Sequence, residues 1–202
     1  MSRVTRARGK LVRKFKENIF GNPKFDRLLA KKPYPAGAHG KKMRRRMSDY
    51  GQQLEEKQKL RAMYGLTEKP FRHLYDLARK TQAATGEKLL QLLESRLDSV
   101  VYRAGFAATL ASARQLVSHG HITVENAKLN IASYQVKIGQ VVGLSAKAQK
   151  TPQVAALLAD KNNQPPAWLK RQAAMVKLER LPERKELNLN IQEQLIVEYY
   201  SR

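Results

Sequence analysis

Two histidines bracket a glycine in Ser118-His119-Gly120-His121, and paired imidazoles are the residues most able to bind a metal or shuttle a proton. Their spacing argues against both. Two positions apart across a glycine, they cannot share a helical face, and no carboxylate lies within three residues on either side. Catalysis needs a base oriented by a third group beside a nucleophile. The only nearby hydroxyls are Ser118 and Thr123, and no Gly-x-Ser-x-Gly turn occurs. His39 and His73 complete the set without a His-x-x-x-His pair. Cysteine is absent, so disulfides and thiolate metal sites are excluded. Gly37-Ala38-His39-Gly40-Lys41-Lys42 has two residues between its glycines and no Ser or Thr after the lysines, so it is a basic turn and not a nucleotide loop. The residues imply no enzyme, no metal and no cofactor.

The chemistry that remains is charge. In 202 residues, 39 Lys and Arg oppose 17 Asp and Glu, a net +22. Self-repulsion of that size disfavours a compact chain unless a polyanion neutralises it, and nucleic acid is the expected partner. Residues 1–46 carry sixteen of the cations against only Glu17 and Asp26, with Pro23, Pro33, Pro35 and several glycines. This segment reads as an extended arm that phosphate would order. A solvated tail is the blander reading, but Phe15, Ile19, Phe20, Phe25, Leu28 and Leu29 are too apolar for a tail without a partner. No apolar run reaches the ~18 residues of a membrane span. The N-terminus lacks the apolar core of a secretion signal. The arm shares a transit peptide's basic, acid-poor composition, but it runs on past transit-peptide length without serine enrichment, so a cytoplasmic location is preferred to an organellar one.

The elements follow from periodicity and caps. Ser48 or Asp49 caps a helix to Tyr64, closed by Gly65; Thr67 caps the next, with Pro70 in its first turn. Thr85 caps a third, in which Leu89, Leu93, Leu97, Val100 and Ala104 recur at helical steps until Gly105. A short helix follows Thr109 and stops at Gly120, with a histidine suited to the negative end of its dipole. "ITVENAKLNI" and "YQVKIGQVVGL" then read as short strands, with Glu125-Asn126 and Gly139 at the breaks. A helix after Thr151-Pro152 and a final helix capped by Asn190, with Glu193 reaching back, complete the chain.

The runs "LLESRLDSVVYRAGFAATLASARQLVSHGHITV" and "NIASYQVKIGQVV" resemble the RNA-binding module named after small ribosomal subunit protein four. "PAGAHGKK", "MSDYGQQLEEKQKLRAMYG" and "EQLIVEYYSR" resemble the bacterial family of that ribosomal protein, so the likeness covers nearly the whole chain. It implies an α+β fold: a basic extended arm (1–46), a helical domain (47–88 plus 175–202), and an inserted module (89–174) of helices on a small antiparallel sheet. It also implies a structural constituent of the small subunit that binds its rRNA directly and early in assembly. Ribosomal protein five and other small-subunit proteins are the implied partners, with an influence on decoding accuracy. Some members repress their own operon, which would add messenger RNA to the partners. The family's zinc-binding cysteines, present in some members, are missing here. Its usual Thr-Arg reads Thr109-Leu110, and its Val-Asn-Gly hairpin reads Val124-Glu125-Asn126, where Asn126 tolerates positive φ.

The interface expected on these grounds comprises Arg44, Arg45, Arg46, Tyr50, Lys57, Arg61 and Arg72 in the first part. In the module it comprises Arg103, Arg114, Gln115, His119 and Lys128. Arg and Lys would hold phosphate, Tyr50 would stack or bond the backbone, and Gln115 and His119 would reach 2′-hydroxyls or base edges. Each is otherwise a solvated surface residue. Two rivals exist. The same module is appended to RNA-modifying enzymes and a tRNA synthetase, but the remaining sequence lacks a nucleotide loop or a clustered acid pair. A DNA-compacting protein would lack the likeness outside the module.

Overall fold

Asn22, Ser48 and Thr109 each turn a side-chain oxygen onto an orphan backbone N–H, and each opens a helix. The computed structural model describes residues 7–42, 46–81, 83–160 and 163–201. In chain order these form α1 (Arg8–Phe15), α2 (Pro23–Lys31), α3 (Asp49–Met63), α4 (Glu68–Arg79), α5 (Thr85–Glu94), α6 (Leu97–Arg103), α7 (Leu110–Ser118), β1 (Ile122–Val124), β2 (Ala127–Lys128), β3 (Val141–Leu144), α8 (Ala146–Gln149), α9 (Pro152–Ala159), β4 (Leu169–Gln172), β5 (Met175–Leu178) and α10 (Glu193–Ser201). They divide into two units, 1–86 with 189–202, and 87–188.

In the first unit, α10 packs along α3. Leu60, Phe71, Leu74, Tyr75, Ile196 and Tyr200 are buried, and the Tyr75 and Tyr200 rings lie 4.5 Å apart. The arm departs from expectation: residues 8–15 and 23–31 are helical rather than extended. The cause is apolar. Val12, Ile19 and Ala62 form a buried cluster, against which Leu11, Phe15, Phe20, Phe25, Leu29 and Met63 pack. Burying one such aliphatic side chain contributes about 1.5–3 kcal/mol, more than the ~1 kcal/mol between two solvated like charges 4 Å apart. Arg13 then donates to the carbonyls of Tyr34 and Pro35 at 2.8 and 3.0 Å, holding the segment that follows.

The second unit carries an antiparallel sheet in the order β2-β1-β3-β5-β4. Glu125 and Asn126 both adopt positive φ, 48° and 64°, so the two-residue β1–β2 turn forms with Asn126 in the predicted conformation. The unit runs past 174, where the module was expected to end, because residues 175–178 form β5 between β3 and β4. The helix expected from 85 to 104 is broken at Ser95-Arg96. There Val136 N–H donates to the Ser95 carbonyl, and Leu97 N–H to that of Tyr134, both at 2.8 Å. The residues expected to extend β3 backward are used at this break instead. Buried Arg96 makes a two-bond pair with buried Asp98, at 3.0 and 2.8 Å.

The final helix starts at Glu193, so Asn190 is not its cap. The Asn190 side chain donates to Glu17 instead, and its carbonyl accepts from buried Lys59 at 2.6 Å.

Candidate nucleic-acid interface

Tyr50 stands one residue into α3 and is 50% exposed, with its ring 5.7 Å from that of Tyr199 on α10. Tyr199 meets Tyr200 edge-on at 5.2 Å. Below them lies Glu68. Its carboxylate accepts from Lys57 at 2.8 Å, Arg61 at 3.2 Å and the Tyr200 hydroxyl at 2.7 Å. Burial pushes the Glu68 carboxyl up, but the hydrogen bonds from Lys57 and Tyr200 and the charges of Lys57 and Arg61 outweigh it and hold the group below its ordinary range. Burial first, then donation to Glu68, pushes the Tyr200 phenol up, so it stays a donor. Arg72 on α4 lies over the Tyr200 ring at 5.4 Å, with its side chain 61% exposed.

The structure thus brings together four of the expected residues, Tyr50, Lys57, Arg61 and Arg72, but separates their roles. Lys57, expected at the surface, is 5% exposed; its ammonium sits between Glu68 and the Tyr199 ring, 4.4 Å from the centroid. It neutralises a carboxylate and supports the tyrosines. Arg61 is half-buried on the same carboxylate. Tyr50 and Arg72 face outward, as does Arg46 just before the α3 cap. Arg44 and Arg45 lie outside the described residues. Glu68, Tyr199 and Tyr200 were not anticipated. The only sign of them was the tyrosine pair near the chain end, which on a helix must send one ring toward the core and one aside.

In the second unit α7 presents the other expected surface. Its end is a Schellman turn: Gly120 N–H donates to the Val117 carbonyl at 2.9 Å and His121 N–H to that of Leu116 at 3.0 Å, with Gly120 at φ +70°. The imidazoles of His119 and His121, 6.2 Å apart, therefore flank a helix stop. Gln115, His119 and Lys128 are exposed and Arg114 is half-buried. Lys128 crosses the same glycine, where an added Cβ would fall 2.2 Å from its Cε. Arg103, expected as a phosphate ligand, is committed inward: its Nη2 lies 2.6 Å from buried Glu94, and its Nε bonds both carboxylate oxygens. Glu125 stays exposed, but its carboxylate is engaged by the chain itself, accepting from the Val141 N–H at 2.6 Å. Among the described residues no three His, Asp or Glu side chains gather as a metal would need.

Charge separates the units. The first holds 24 Lys and Arg against nine Asp and Glu, a net +15 of the chain's +22. Its outward cations include Lys24, Arg27 and Lys31, at helical spacing on α2.

A strongly basic helical unit whose sequence is interrupted by a small sheet-and-helix module narrows the class to basic proteins suited to a polyanion. Residues 3–94 match the ribosomal protein S4/S9 N-terminal domain family, and residues 95–142 match the S4 domain family. The chain is similar over its full length, and that of each relative, to small ribosomal subunit protein uS4 of Parabacteroides distasonis (50% identical), Bacteroides thetaiotaomicron (47%) and Porphyromonas gingivalis (46%). The chain belongs to the uS4 family of small ribosomal subunit proteins, structural components of the ribosome.

Proposed function

We propose that the chain binds small-subunit rRNA directly, early in subunit assembly, and acts without catalysis. The observation that carries this reading is the first unit's net +15 beside the outward Tyr50, Arg72 and α2 cations. Phosphate contacts from such a surface fix register, and Tyr50 adds a stacking face. The module contributes Arg114, Gln115, His119 and Lys128. Exposed Arg46 adds to the basic surface, and Arg44 and Arg45, adjacent to it in sequence, are further proposed phosphate ligands. Ribosomal protein five and other small-subunit proteins are the protein partners, decoding accuracy depends on that contact, and messenger RNA is a partner where the chain represses its own synthesis; family likeness supports these three. The working location is the cytoplasmic ribosome.

Filter binding to small-subunit rRNA tests the central claim. With some 6–10 phosphate contacts, affinity should fall on the order of a thousandfold or more between about 50 and 200 mM salt. Sedimentation through a low-magnesium gradient should place the tagged protein with the small subunit. A protein that stays at the top, or binds rRNA no better than unrelated RNA at every salt concentration, refutes the reading.

A further inference from the structure

The sheet of the second unit has one buried face and one open face. Register assigns them. Ile122, Val124, Val142, Val176 and Leu178 point to the core. The eight opposite positions are Thr123, Lys128, Val141, Gly143, Lys170, Gln172, Met175 and Lys177. They include three lysines, no carboxylate and no aromatic ring. Gly143 stands in the central strand at the base of a concavity of about 190 Å³, lined also by Thr123, Asn126, Gln149 and Met175. A side chain at 143 would close it, since an added Cβ lies 3.0 Å from Thr123 Oγ1.

We propose that this open face is a second RNA-contacting surface of the module, meeting the end of α7 at Lys128, whose side chain crosses Gly120, and that it takes the sugar–phosphate backbone of an RNA duplex. The inference rests on the rRNA-binding reading above. Three lysines without an acid among the outward strand positions select a polyanion. Lys170 does lie 3.7 Å from Glu179, but both are exposed, and such a pair yields to a phosphate. The absence of rings argues against stacked single-stranded bases. A hydroxyl and amides around a glycine floor suit ribose 2′-hydroxyls and phosphate oxygens, the groups an RNA helix offers in its minor groove.

Among the described residues two methionines are exposed and supply the test, since Met175 (53% exposed) stands on this face and Met47 (43%) in the first unit. Full-length protein labelled with ¹³C at the methionine methyls is titrated with a short RNA duplex. The Met175 methyl should shift saturably. Lys170→Gln with Lys177→Gln should weaken that shift at least tenfold in RNA concentration while the Met47 response is kept. Gly143→Val, which fills the concavity, should do the same in protein that melts like wild type. A Met47 shift without a Met175 shift overturns the proposal and leaves rRNA binding standing. An equal Met175 shift with poly-glutamate also overturns it, pointing to an acidic peptide. If neither methyl responds and filters retain no rRNA, the underlying reading fails with it.

Discussion

Glu68→Gln is the most informative single change. The Lys57 side chain is 6% exposed, and its hydrogen-bonded counter-ion is Glu68 at 2.8 Å. Breaking a fully buried pair from one side costs about 3–5 kcal/mol. Glu68 is 43% exposed, so solvent screens part of the interaction, and the amide can still accept one hydrogen bond; about 2 kcal/mol is the expected loss. In a unit of about 100 residues that lowers the melting temperature by roughly 8–16 °C. The pH dependence gives a second reading. The Glu68 pKa is depressed by folding, so its contribution is complete above the unfolded carboxylate value, about 4.3, and is lost as pH falls through the lower folded value. The wild type should therefore lose this increment on acidification below about pH 4.3, and the variant, having none to lose, should show a shallower slope there. Melts followed by circular dichroism from neutral to acid pH measure both. A variant melting within a degree of wild type at neutral pH, or an unchanged acid slope, would show that Lys57 is stabilised by the tyrosine rings alone.

Four further outcomes follow from the same geometry. Changing Lys24, Arg27 and Lys31 together to Gln should flatten the log–log salt dependence of rRNA binding by about 0.7–0.9 for each phosphate that loses its cation, read by filter binding, with little change in melting. Arg114→Ala should weaken rRNA binding roughly tenfold to hundredfold, the worth of a charge-assisted hydrogen bond of about 1.5–3 kcal/mol, and His121→Gln should change it little. Arg72→Ala should weaken binding about uniformly across RNA sequences and reduce the salt slope by about one. Gly120→Ala should cost about 1–2 kcal/mol in thermal melts, because an alanine must hold φ near +70° to keep the Schellman turn.

What the sequence shows of the fold depends on how local each cause is. Ser48 and Thr109 cap through their own side chains, Gly120 stops a helix through its own φ, and Asn126 makes its turn with the residue beside it. Each was legible. The break at Ser95-Arg96 was not, because apolar residues continue at helical spacing from Leu89 to Ala104 straight through it. Its cause is the segment 134–136, some forty residues away. The arm's helices were hidden for the same reason: their apolar residues lack a clean period, and α3 supplies the partner. At the interface, the basic residue types could be counted, but not which of them would be drawn inward. That depended on Glu68, eleven residues after Lys57, and on Glu94, nine before Arg103.

This sorting of cations has a consequence for how so basic a chain folds. A carboxylate leaves water only if cations and hydrogen bonds replace its hydration. With 39 cations to 17 acids, every acid that helps build the core finds a partner readily, and the chain keeps a large surplus. Glu68 takes Lys57 and Arg61, Glu94 takes Arg103, Asp98 takes Arg96, and Glu17 takes Lys59. These cations rigidify the scaffold around Tyr50, Tyr199 and α6 and are unavailable to phosphate at low cost. Arg171 and Arg13 are likewise held by backbone carbonyls, whereas exposed Lys24, Arg27, Lys31, Arg46 and Lys177 stand on α2, before α3 and on the open sheet face, where desolvation is small and a polyanion can reach them. Fold and binding surface therefore draw on the same residue types without competing, because the position of each acid, more than that of each base, decides which cations belong to which.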